Sequence, residues 1–122
     1  MRIKTKVWLE KEGKLILGSG KVLILKSIAS TGSINKAAEK IKMSYRHAWS
    51  CIRAIEGRIG RPVVKKTKGG RGGGGATLTE DGKDLVRKFE RLEQEIKSFS
   101  DKRFKEIFLQ DGKIHNHKDK GW

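Results

Sequence analysis

Between Ser44 and Ile59, at about 100° of turn per residue, a helix would set Arg46, Ser50, Arg53, Ala54 and Gly57 on one side and Ala48, Ile52, Ile55 and Ile59 on the other. His47 lies on one flank of the polar side, and Tyr45 and Trp49 on the other. Guanidinium, hydroxyl and imidazole groups on one exposed arc are donors suited to base edges and phosphate oxygens. Arginine can grip a guanine edge through two bonds and can also reach phosphates. The chain assembles no paired acid and base, so recognition of a polyanion is expected and an enzyme is not.

The elements that would position this arc are legible on both sides. Ser44 can cap the helix at 44–59, because its hydroxyl accepts an N–H left over in the first turn. Before it, Ile34, Ala37, Ala38 and Ile41 fall at i, i+3, i+4 and i+7, one face of a helix at 33–42 that Ser33 can cap. The paired alanines let a neighbouring helix approach closely. Lys42-Met43 breaks the two apart, so the pair reads as a helix-turn-helix. A third helix at 21–30 would complete a small bundle. Thr5, Val7 and Leu9 alternate with Lys4, Lys6, Trp8 and Glu10 ahead of a turn at Lys11-Glu12-Gly13, which predicts a β-hairpin over 4–18.

After Pro62 two short β-prone runs flank a glycine-rich loop, which predicts a second hairpin, or wing, over 62–78. Lys65, Lys66, Lys68 and Arg71 sit there without an acid. Glycine removes side-chain bulk, so this backbone can lie close against a partner. With the cap residues Ser33 and Ser44, the predicted DNA-contacting set is Ser33, Ser44, Tyr45, Arg46, His47, Ser50, Arg53, Lys65, Lys66, Lys68 and Arg71.

Charge supports the same division. The 122 residues carry a net +15, and residues 1–78 hold 18 Lys and Arg against 4 Asp and Glu. Residues 79–110 are balanced, with 8 of each sign. A basic head joined to a neutral helix suits a polyanionic partner. In that helix, over 79–110, Leu85, Phe89, Leu92, Ile96 and Phe99 follow spacings of 4, 3, 4 and 3, a heptad seam suited to dimerisation. The seam lapses at Arg103, and Phe104, Ile107 and Phe108 continue on a shifted face. Residues 111–122 have no pattern and read as a flexible tail. One cysteine, Cys51, allows no intramolecular disulfide and suits a reducing compartment. With neither a signal-peptide core nor a membrane-spanning run, a cytoplasmic location is expected.

Other motifs fail on context. Gly70 to Gly75 fits G-x-G-x-x-G, but a strand-like stretch follows where the dinucleotide motif needs a helix. Near Gly18-Ser19-Gly20-Lys21, Leu15 replaces the first glycine of a phosphate loop and Val22 its hydroxyl residue. His115 and His117 are two ligands on a patternless tail. Cys51 lies near the edge of the buried face with no base placed beside it, so it reads as a core residue. No cofactor and no metal site is expected.

Gly32-Ser33-Ile34…Ala37-Ala38, then Ser44-Tyr45-Arg46…Ala48-Trp49…Ile52, then Gly69-Gly70-Arg71 through Ala76-x-Leu78-Thr79…Gly82, resemble the N-terminal domain of the molybdate-responsive ModE regulators, which are prokaryotic. More distantly they resemble the winged helix of LysR-type regulators. The resemblance covers about residues 18–100. It implies a mainly α protein with small β: a winged helix-turn-helix with an N-terminal β-hairpin and a long C-terminal dimerisation helix. It also implies a homodimer that places Tyr45, Arg46, His47, Ser50 and Arg53 in the major groove of double-stranded DNA, with the wing on backbone or minor groove. ModE proteins sense an oxyanion in C-terminal domains. This chain ends soon after the long helix, so a molybdate or tungstate effector is not carried over. The expected function is that of a sequence-specific, DNA-binding transcriptional regulator. The rivals are an architectural, chromatin-like protein that coats DNA and an interaction module worked by the long helix.

Overall fold

A computed structural model describes residues 1–67 and 75–109. The predicted contacts Lys68 and Arg71, and the 111–122 tail, lie outside the described residues. Among the described residues nine elements follow in chain order: β1 (Trp8–Lys11), β2 (Lys14–Gly18), α1 (Ser19–Thr31), α2 (Ile34–Lys40), α3 (Tyr45–Ile59), β3 (Val64–Thr67), β4 (Gly75–Leu78), α4 (Glu80–Phe104) and a π-helical turn (Lys105–Leu109). The protein is mainly helical, with a winged helix-turn-helix, an N-terminal hairpin and a long C-terminal helix.

One compact unit spans Val7–Lys88. Its three-helix core is built from one apolar face each. Ile24, Leu25 and Ile28 of α1, Ala37 of α2, and Ala48, Ile52 and Ile55 of α3 are all fully buried. Removing a large aliphatic side chain of this kind from water contributes about 1.5–3 kcal/mol. Cys51 joins the buried face of α3, whereas Ile59, expected there, is only half-covered at the helix end.

The helix ends form by local chemistry. Ser33 Oγ accepts from Lys36 N at 3.1 Å, and Ser44 Oγ accepts from His47 N at 3.0 Å. Gly32 and Gly60 sit at φ +72° and +73°, and each donates its N–H back to the helix it ends, to Ile28 O and Glu56 O. That left-handed cap geometry favours glycine. Lys42 takes φ +60° in the α2–α3 turn, where Lys42 N and Met43 N bond to Glu39 O and Ala38 O.

Both sheets are two-stranded and antiparallel. The first strand begins at Trp8, not at Lys4 as the alternation predicts, because its pairing runs only from Trp8↔Gly18 to Lys11↔Lys14. The turn residues Glu12 and Gly13 have φ of +53° and +78°, the signs a two-residue hairpin loop requires. The wing pairs Val64↔Leu78, Lys65↔Thr77, Lys66↔Ala76 and Thr67↔Gly75.

The unit takes in the start of α4, beyond the expected boundary at residue 78, because this start is bonded to the wing. Thr79 N donates to Val63 O at 3.0 Å and Thr79 Oγ1 donates to Pro62 O at 2.7 Å. The same hydroxyl oxygen caps α4 by accepting from Gly82 N at 3.0 Å. A Cβ on Gly82 would lie 2.2 Å from Val63 O, so only glycine fits this approach. Asp84 pairs with Lys88 and Arg87, and these partners, Lys88 first, hold its carboxyl below the usual range.

The second unit comprises Met1–Lys6 and the chain from Phe89 onward. Within it the seam is unevenly covered: Phe89 is 1% exposed, Leu92 43% and Phe99 66%, with Ile96 between. Surface ion pairs Arg91–Glu95, Lys97–Asp101 and Arg103–Glu106 run along the helix. Two residues past Arg103, where the heptad lapses, the α-helix gives way to the π turn, and Phe104 stacks on Phe108 at 5.1 Å. A π turn admits one extra residue, which rotates the following side chains to a new face.

Candidate nucleic-acid interface

The site is built on the exposed arc of α3. Tyr45, Arg46, His47, Ser50 and Arg53 are all exposed, and the buried face beneath them fixes the helix in the head. Ser44 caps α3 and Ser33 caps α2, so both hydroxyl oxygens already accept a backbone N–H. Accepting that bond leaves each O–H able to donate.

Trp49 organises the Tyr45 flank. Its ring meets Tyr45 edge-on, with centroids 6.4 Å apart. Arg53 Cζ lies 5.4 Å from the Trp49 centroid and Lys66 Nζ lies 5.2 Å from it. An indole face attracts cations through its quadrupole, so one half-buried ring gathers a cation from α3 and another from the wing. Trp49 is absent from the contact set predicted from the sequence. The available signal was its spacing, four residues after Tyr45 and four before Arg53, which places all three on one helical strip.

The wing reaches the same side. Ser33, Asn35, Tyr45 and Lys66 line one recess of about 220 Å³ with Gly75 and Ala76. Asn35 is a further polar residue that the sequence reading did not select. Lys65 is exposed on the adjacent rung, and neighbouring residues of a strand point to opposite faces, so the wing lysines do not act as a pair. On the other flank of α3, contrary to the expectation that no base stands beside Cys51, His47 Nε2 lies 3.7 Å from its Sγ.

The wing itself is held by an acid. Glu56 Oε2 accepts from Val63 N at 2.8 Å and from Val64 N at 3.3 Å. This carboxylate, on a helix otherwise rich in cations, is therefore turned onto the β3 backbone. Among the described residues, no three His, Cys, Asp or Glu side chains come together as a metal-binding group. No described helix is long and apolar enough to cross a membrane.

This arrangement can do two things chemically: offer hydrogen-bond donors to base edges from α3, and offer cations to phosphates from α3 and the wing. Known proteins resemble the chain in sequence and in fold. The chain is 38% identical over 87 residues to the molybdenum-pterin-binding protein MopB of Rhodobacter capsulatus, covering 71% of this chain and 32% of that protein. It is 33% identical over 94 residues to the DNA-binding transcriptional dual regulator ModE of Escherichia coli K12, covering 77% of this chain and 36% of that one. The chain thus spans about a third of the length of the curated relatives it matches. Its fold is similar to that in a CbnR DBD–DNA complex, with a TM-score of 0.54 at 19% identity over 72% of this chain and 94% of that one. The model of bacterial regulatory helix-turn-helix proteins of the lysR family matches residues 21–83, from α1 through the wing to the start of α4, and the chain belongs to that family.

Proposed function

We propose that the chain is a sequence-specific, double-stranded-DNA-binding transcriptional regulator of the bacterial cytoplasm that acts as a homodimer. The observation that carries the reading is the joint between α3 and the wing. Tyr45, Arg46, Ser50 and Arg53 are exposed on one helix, and Lys66 is held beside them by the Trp49 ring. An α-helix fits the major groove, and Arg46, His47 and Ser50 are the side chains suited to base edges. Ser33, Ser44, Tyr45, Arg53, Lys65 and Lys66 are assigned to the phosphates, which fix register without reading sequence. Lys68 and Arg71, outside the described residues, are assigned to the phosphates on their charge and place in the sequence. The family match and the regulator names of the relatives agree with this reading. We assign no oxyanion effector, molybdate or tungstate, to these residues.

Dimerisation is assigned to Leu85, Phe89, Leu92, Ile96 and Phe99 of α4. The exposure of Leu92 and Phe99 at heptad spacing supports it, since such a seam is satisfied by a second helix.

Selection of binding sites from a random duplex library at physiological salt tests the whole reading. An enriched inverted repeat, bound about 10³-fold or more tighter than scrambled duplex, is the expected outcome. Tight, salt-sensitive binding to every duplex without enrichment would instead make this an architectural DNA-coating protein.

A further inference from the structure

Three residues with soft or borderline donor atoms recur in steps of four: Met43, His47 and Cys51. They line one recess of about 340 Å³ on the flank of α3, which Lys21 and Ser50 also border. His47 is exposed and gives entry, Met43 is half-buried, and Cys51 is 7% exposed.

The spacing of the inner pair has a chemical meaning. Cys51 Sγ and His47 Nε2 are 3.7 Å apart. On one d¹⁰ ion, a metal–sulfur bond of about 2.3 Å and a metal–nitrogen bond of about 2.05 Å put their donors roughly 3.6 Å apart at a tetrahedral angle and about 3.8 Å apart at a trigonal one. The two side chains already stand where two ligands of one ion would stand.

We infer that Met43, His47 and Cys51 form a binding site for a soft monovalent d¹⁰ metal ion of the Cu(I) type. The donors select the class: thiolate and thioether prefer soft ions, and imidazole accepts them. Charge selects the valence. One thiolate neutralises one positive charge, whereas a divalent ion would leave a surplus charge beside Lys21 in a chain of net +15. Binding is a simple exchange. The Cys51 S–H bond breaks, the S–metal bond forms and one proton leaves to solvent, while neutral His47 and Met43 donate lone pairs and no oxidation state changes.

The site would also act on the reading face. An ion on Nε2 takes the His47 ring out of service for base contacts, so metal and DNA compete for one residue. This consequence rests on the DNA-binding reading, whereas the metal site does not.

The test is an anaerobic titration of the full chain with Cu(I) against a colorimetric Cu(I) chelator. His115→Gln and His117→Gln form the background, so that those imidazoles contribute nothing. One ion per chain is expected, with a near-ultraviolet thiolate charge-transfer band that Cys51→Ala abolishes. His47→Gln and Met43→Leu, an exposed and a volume-conserving change, should each weaken retention about tenfold or more. Retention in both equal to the background would mean that the thiol acts alone and would overturn the site, as would no retention in the background itself. In a second arm, metal loading should release a selected duplex from the background protein but not from the Cys51→Ala variant. Unchanged duplex binding by the loaded protein would overturn the competition and leave the metal site standing.

Discussion

Lys66 Nζ stands 5.2 Å from the centre of the Trp49 ring, which ties one strand of the wing to the exposed face of α3. Arg53 approaches the same ring at 5.4 Å. The ring therefore sets where two of the candidate phosphate contacts lie, although it need not touch DNA itself.

Trp49→Leu should release both cations. Two contacts of about 0.5–1 kcal/mol each predict roughly 5- to 30-fold weaker duplex binding, alike for every sequence. Trp49→Phe keeps an aromatic face and should lose less. Fluorescence anisotropy on selected and scrambled duplexes measures both; an altered preferred site would show that Trp49 reads bases directly.

Arg46 and Lys66 should fail differently. Arg46→Ala is expected to cost on the order of 1–3 kcal/mol and to relax the choice of base at one position. Lys66→Ala should weaken all duplexes equally and lower the slope of log affinity against log salt by about one. Repeating the site selection with each variant separates the two roles.

Two glycines should respond to alanine with opposite signs. At Gly82 the new Cβ would meet Val63 O at 2.2 Å, and both that oxygen and the helix backbone are held by bonds to Thr79. The crowding predicts a loss of about 1–3 kcal/mol. Gly57 lies inside α3 with nothing within 4 Å of its Cβ position. Alanine there should stabilise by about 0.5–1 kcal/mol through reduced chain entropy. Thermal melts of the pair read the difference.

On α4, Leu92→Asp and Phe99→Asp replace exposed apolar side chains of the seam. Sedimentation should show a dimer becoming a monomer, with the melt of the head little changed. A wild-type chain that sediments as a monomer at tens of micromolar would remove the dimer assignment.

Helix positions were readable because local chemistry sets them. Ser33 and Ser44 each cap a helix whose apolar period begins at once, and Gly32 and Gly60 end the helices before them. Strand limits were not readable. Alternation from Lys4 to Glu10 cannot distinguish paired backbone from merely extended backbone, and the partner at Lys14–Gly18 fixes where pairing stops. No local pattern marks Glu56, because the N–H groups it accepts from, those of Val63 and Val64, lie seven and eight residues away. The Trp49–Lys66 contact and the Gly82 approach likewise join residues that no local spacing relates. The heptad gave the seam on α4, but coverage along it, from Phe89 to Phe99, depends on what lies beside the helix.

Ala76 N donates to Gly32 O at 2.9 Å, so a strand of the wing is bonded to the corner between α1 and α2. A hairpin with four-residue strands is marginal by itself. Through this bond the ribbon opens only when the corner opens. The Ala76 amide should therefore exchange its hydrogen with solvent on the slow timescale of the buried helices rather than the fast one of a surface ribbon.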